Sequence, residues 1–146
     1  MTLYTIGFTQ KKAEEFFGAL RENEIQLLVD IRLNNKSQLA GFTKNGDLQF
    51  FLKEICGTEY IHCEEFAPSK ELLSNYQAKK VSWDEYTITF HDIMEKRGAY
   101  KKFVGRFQQY DRICLLCSEA TPEHCHRRLL AELIANTNPA IEIRHL

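Results

Sequence analysis

The run Ile25-Gln-Leu-Leu-Val-Asp-Ile31 constrains the fold more than any other stretch, because five of its seven residues are apolar and they do not alternate with polar ones. Such a strand has to be covered on both faces, which is the situation of a strand inside a parallel sheet flanked by helices. Ile113-Cys-Leu-Leu116 repeats the pattern, and Leu3-Tyr-Thr-Ile6, Glu59–Cys63 and Ile141–His145 supply further candidate strands. Segments at helical spacing lie between them. Lys12–Glu22 sets Ala13, Phe16, Phe17 and Leu20 on one face, and Leu48–Ile55 does the same with Leu48, Phe51, Leu52 and Ile55. Residues 64–110 are helical and aromatic, with Gly98 dividing two helices, and a last helix runs over Pro122–Asn136. This alternation predicts a three-layer α/β sandwich with a mainly parallel, Rossmann-like sheet of about five strands.

A chain of 146 residues, 44% hydrophobic, suffices for one cored domain, so a single domain over 1–146 is expected. The formal net charge of −1 gives no basic footprint of the kind that drives nonspecific nucleic-acid binding. The N-terminus lacks a basic segment followed by an apolar one, and no apolar run is long enough to span a bilayer. No membrane association is expected, and the cytoplasm is the expected compartment. Five cysteines, an odd number without small-scaffold spacing, read as free thiols there. On that reading the Asn35-Lys-Ser37 sequon carries no weight.

Chemistry concentrates in Ile113-Cys-Leu-Leu-Cys-Ser-Glu-Ala-Thr-Pro-Glu-His-Cys-His-Arg-Arg128, where an apolar strand empties into thiols, imidazoles and charges. Thr121 as N-cap and Pro122 as first helical residue place a helix start within the segment. In a parallel sheet, ligands bind beyond the carboxyl ends of the strands, near the point where strand order reverses. That rule draws Gly7-Phe8-Thr9, Asp30-Ile31-Arg32 and Cys117-Ser118-Glu119 together. Asp30 and Arg32 flank one residue and share a face, as a structural pair or as part of a substrate clamp. His126 shares a helical stripe with Leu129, Leu130 and Leu133 and should face the sheet, either satisfied in the core or active in proton transfer. Arg127 is a candidate anion clamp or a salt-bridge partner of Glu119 or Asp30. Glu119, at a strand end that could desolvate it, is the carboxylate best placed for acid or base work. The candidate catalytic residues are therefore Glu119, His126 and Asp30, and the candidate substrate contacts are Arg32, Arg127, Cys117 and Thr9.

Two chemistries are disfavoured by spacing. The C-x7-C-H arrangement lacks paired CxxC knuckles, and adjacent Cys125 and His126 would diverge by about 100° on a helix, so no metal site is expected. A phosphatase loop of the form C-x5-R needs arginine at 123, where the chain has Glu123. Cys117 or Cys125 as nucleophile remains a minor option. Thr5-Ile-Gly-Phe-Thr9 lacks dinucleotide glycine spacing, and no cofactor is expected.

Thr5-Ile-Gly7, Leu28-Val-Asp-Ile-Arg32, Leu115-Leu-Cys-Ser-Glu119 and Cys125-His-Arg127 together resemble the bacterial and archaeal family known as domain of unknown function 488. The resemblance covers nearly the whole chain and implies a compact α/β domain, with no activity attached. Members commonly read TIGHS in the first motif, where this chain has Phe8 and Thr9. Many carry a Pro and a Ser-Arg pair after the second motif, where this chain has Asn35 and Ser37-Gln38. The leading expectation is an enzyme-like domain whose polar strand-end pocket takes a small anionic or nucleotide-like ligand. The alternative is a noncatalytic nucleic-acid or protein-binding module using the 34–44 loop and the aromatic helices.

Overall fold

The computed structural model describes residues 1–36 and 41–146. Ser37 and Gln38, the 37–40 stretch of the 34–44 loop and the end of the sequon lie outside the described residues. Five strands, β1 (Thr2–Gly7), β2 (Leu27–Asp30), β3 (Glu59–His62), β4 (Arg112–Cys117) and β5 (Glu142–His145), form one wholly parallel sheet in the order β3-β2-β4-β1-β5. All four residues of β2 are buried, as are Ile113–Cys117 of β4, which is why both runs could dispense with polar alternation. Successive side chains enter different cores. Leu3, Val29, Ile113 and Leu115 pack on one face, under α3 (Lys70–Gln77), α4 (Trp83–Arg97), α5 (Ala99–Phe107) and α6 (His126–Thr137). Tyr4, Ile6, Leu28, Cys114 and Leu116 pack on the other, under α1 (Ala13–Glu22) and α2 (Asn45–Phe51). The result is the expected three-layer α/β sandwich.

Local signals account for most boundaries. Ser69 caps α3 by accepting from the Leu72 N–H, and Ser82 caps α4 by accepting from that of Glu85, three residues on. Gly98 ends α4 at φ 64°, a conformation that favours glycine. Three elements differ from the sequence expectation. α2 starts at Asn45 and leads into a π-helical turn over Leu52–Cys56. Three helices, not two, fill the aromatic segment between β3 and β4. The last helix starts at His126 with Cys125 as N-cap, not at Pro122. Residues 122–125 form a turn instead, closed by the Cys125 N–H on the Pro122 carbonyl.

β4 lies between β1 and β2 although it is the fourth strand of the chain. The carboxyl ends of these three neighbours therefore open onto one crevice.

Candidate functional site

At the end of β2 a buried ion pair sets one wall. Asp30 is fully buried and accepts from Arg32 twice, Nε to Oδ1 at 2.9 Å and Nη2 to Oδ2 at 2.8 Å. The Tyr60 hydroxyl of β3 donates to Oδ2 at 2.6 Å, and the Arg32 backbone N–H donates to Oδ1. Arg32 also donates to the Thr43 carbonyl at 2.7 Å and lies over the Phe8 ring. Burial works against the Arg32 charge, but Asp30 outweighs it and raises its pKa. Both carboxylate oxygens of Asp30 are thus engaged. The next peptides are held by imidazoles: His126 Nε2 donates to the Ile31 carbonyl at 2.9 Å, and His62 Nε2 to that of Arg32 at 2.7 Å.

At the end of β4 the Cys117 sulfur, buried, lies 3.5 Å from His126 Nδ1. Cys125 approaches from the far side of the loop, and the donor atoms of Cys117, Cys125 and His126 all lie within 4.8 Å of one another. The expected 100° divergence of Cys125 from His126 does not apply, because Cys125 is extended at φ −135°, ψ 138° and stands outside the helix. Burial alone would raise the Cys117 pKa. The Cys125 thiol, the backbone N–H groups of Ser118 and Glu119 and the charge of Arg127 outweigh it and hold Cys117 below the ordinary thiol value. Cys125, beside Cys117 and itself buried, is pushed up.

The loop between β4 and α6 is fastened from below. Thr9 sends both its hydroxyl and its backbone N–H to the Ser118 carbonyl, at 2.6 and 3.1 Å. Arg127, fully buried, donates Nη1 to the Glu119 carbonyl at 2.7 Å. Its Nε and Nη2 have no hydrogen-bond partner among the described residues. Gly7 makes this possible: a Cβ there would stand 1.6 Å from the Glu119 carbonyl oxygen and 2.9 Å from Arg127 Nη1.

Arg32, Cys117, Glu119, His124, Cys125 and His126 line one cavity of about 330 Å³, with Tyr76 and Tyr86 among its walls. Trp83 stacks on Tyr86 with ring centres 5.1 Å apart and stands 5.0 Å from His124, while Phe90 continues the row from Tyr86 to His126. Of the seven candidate residues, Arg32, Cys117, Glu119 and His126 line the cavity, whereas Asp30, Thr9 and Arg127 do not. Thr9 and Arg127 brace the loop from behind instead of lining the cavity, because the close approach at Gly7 directs both toward backbone carbonyls of 118–119. The salt bridges considered for Arg127 are replaced by its bond to the Glu119 carbonyl. Glu119 lies exposed at the rim, so its side chain is not desolvated as anticipated. Cys125, a minor nucleophile option on the sequence, stands beside Cys117 and His126 because α6 starts at His126 and not at Pro122. The contribution of Tyr60 depends on the β2–β3 register, which leaves no mark in local sequence.

No curated protein matches the chain, and no solved structure matches it. The family model described as domain of unknown function DUF488 matches residues 12–134, a span that takes in both the Asp30–Arg32 pair and the Cys117–Cys125–His126 cluster. With most of its length so covered, the chain belongs to the DUF488 family.

Proposed function

We propose that the cavity at the carboxyl ends of β2 and β4 binds a small anionic ligand of phosphate- or nucleotide-like chemistry, and that the domain is enzyme-like. The observation that carries this reading is the pair of buried arginines beside one cavity, of which only Arg32 has a carboxylate partner. Among the described residues no carboxylate pairs with Arg127, whose charge acts on Cys117 and Cys125 at the cavity floor. A buried uncompensated cation favours negative charge nearby. Arg32, locked by Asp30 and Tyr60, has one Nη1 hydrogen left after Thr43 and serves as the clamp. Tyr76 and Tyr86 suit a planar base. Glu119, exposed at the rim, is the group able to exchange protons between ligand and solvent, and His126 offers only Nδ1 because Nε2 is committed to Ile31.

The test is a thermal-shift titration with inorganic phosphate, pyrophosphate and mononucleotides, on the wild type and on Leu73→Trp, which narrows the cavity from its wall while leaving every charged residue of the lining unchanged. Ligand at a hundred times its Kd stabilises by about 2.7 kcal/mol, a rise of roughly 5–10 °C in a chain of this size. The rise should be lost in folded Leu73→Trp. A flat response to all three anions in the folded wild type refutes the reading.

A further inference from the structure

We infer that Cys117, Cys125 and His126 form a three-ligand site for a soft divalent metal ion of zinc type, with its fourth position open to the cavity. This rests on the pocket reading above and deepens it, because the open position is where an anionic ligand would bind.

Geometry carries the inference. Zn–S of about 2.3 Å and Zn–N of about 2.05 Å at the tetrahedral angle put a sulfur and a nitrogen about 3.6 Å apart, and Cys117 Sγ lies within that reach of the His126 ring, 3.5 Å from Nδ1 and 3.6 Å from Nε2. The third donor, Cys125, falls within the same 4.8 Å cluster. Two thiolates and an imidazole are the donor set that suits zinc over harder, oxygen-seeking ions.

The surroundings complete the pattern. A ligating histidine characteristically gives its other ring N–H to a carbonyl or carboxylate, which fixes the tautomer and aims the free nitrogen at the metal. His126 does this through Nε2 and the Ile31 carbonyl at 2.9 Å, which leaves Nδ1 as the ring nitrogen without a protein acceptor to serve. All three donors are buried, yet all three line the cavity. Three protein ligands beside an accessible hollow match a catalytic rather than a closed structural zinc site. Two thiolates neutralise a divalent ion, and Arg127 behind the loop leaves the centre net positive, which suits an anionic fourth ligand.

The experiment is metal analysis of the purified chain, followed by replacement with cobalt(II). About one metal per chain is expected, in wild type and in Cys56→Ser, a thiol outside the cluster. The cobalt form should show thiolate-to-metal charge-transfer absorption and the intense visible bands of four-coordinate cobalt. Cys125→Ser should weaken binding by more than the roughly 10–100-fold that loss of a supporting second-shell group costs. Less than a tenth of an equivalent in folded, reconstituted wild type overturns the inference whatever the variants do. So does cobalt absorption without a thiolate band, or binding that survives in both Cys117→Ser and Cys125→Ser. Inorganic phosphate added to the cobalt form should shift the visible bands. Metal bound with no response to anions retains the metal site and sinks the anion reading, whereas anion stabilisation in a metal-free chain does the opposite.

Discussion

Gly7→Ala is the sharpest test of how the site is held. The added Cβ would fall 1.6 Å from the Glu119 carbonyl oxygen, about 1.8 Å inside ordinary contact, and 2.7 Å from the carbonyl carbon. Backbone atoms have no rotamer to escape into. The neighbouring Ser118 carbonyl is pinned by two bonds from Thr9, so relief requires breaking those bonds or displacing the end of β1. Overpacking of a rigid interior costs about 1–3 kcal/mol. Displacing the Glu119 carbonyl also strips Arg127 of its one acceptor among the described residues, and an unsatisfied buried donor adds about 1–3 kcal/mol. The total, centred near 4 kcal/mol, is a large part of the roughly 5–15 kcal/mol that a domain has. In urea, with a slope of about 2 kcal/mol per molar, the midpoint should fall by about 2 M at unchanged slope. Gly18→Ala is the matched control: it lies inside α1 with nothing within 4 Å of a new Cβ, and it should stabilise by about 0.5–1 kcal/mol. A Gly7→Ala loss below about 1 kcal/mol would refute the claim that this close approach is rigid.

Other outcomes follow from the buried groups. Asp30→Ala leaves Arg32 charged and unpaired inside the protein and should cost about 3–5 kcal/mol in chemical denaturation, whereas Tyr60→Phe, which removes one bond to the same carboxylate, should cost about 1.5–3 kcal/mol; equal losses would contradict the arrangement. Burial pushes the Cys63 thiol up to about 11 and raises Cys114 further, so neither should react with iodoacetamide at pH 8 before unfolding, as peptide mapping would reveal. Burial, helped by Arg127, holds His145 below the ordinary imidazole value of 6.5, so the unfolded chain binds that proton more tightly. Its contribution to stability is complete above about pH 6.5 and falls away at lower pH. His145→Gln should flatten the stability profile between pH 7 and 5, and an unchanged slope there would exclude that role.

The sheet was legible because burial on both faces leaves its signature in composition: β2 and β4 could be placed from apolar runs alone, and the shared face of Asp30 and Arg32 follows from strand period. His126 facing the sheet was likewise a matter of helical spacing. The start of α6 was not legible. Thr-Pro-Glu serves equally as a helix start and as a turn, and here it makes the turn closed by the Cys125 N–H on the Pro122 carbonyl. That four-residue displacement decides whether Cys125 diverges from His126 or joins it. The support given to Asp30 by Tyr60, and to the loop by Arg127, depends on contacts between residues far apart in the chain.

The aromatic row along α4 has a practical consequence. Trp83, the chain's one tryptophan, stacks on Tyr86 at an interplanar angle of 15° and faces His124, and both neighbours line the cavity. Its indole emission is exposed to quenching by a protonated imidazole and to any movement of Tyr86. Filling the cavity therefore changes the intrinsic fluorescence of the unmodified chain, and a single excitation channel follows occupancy in real time without a label.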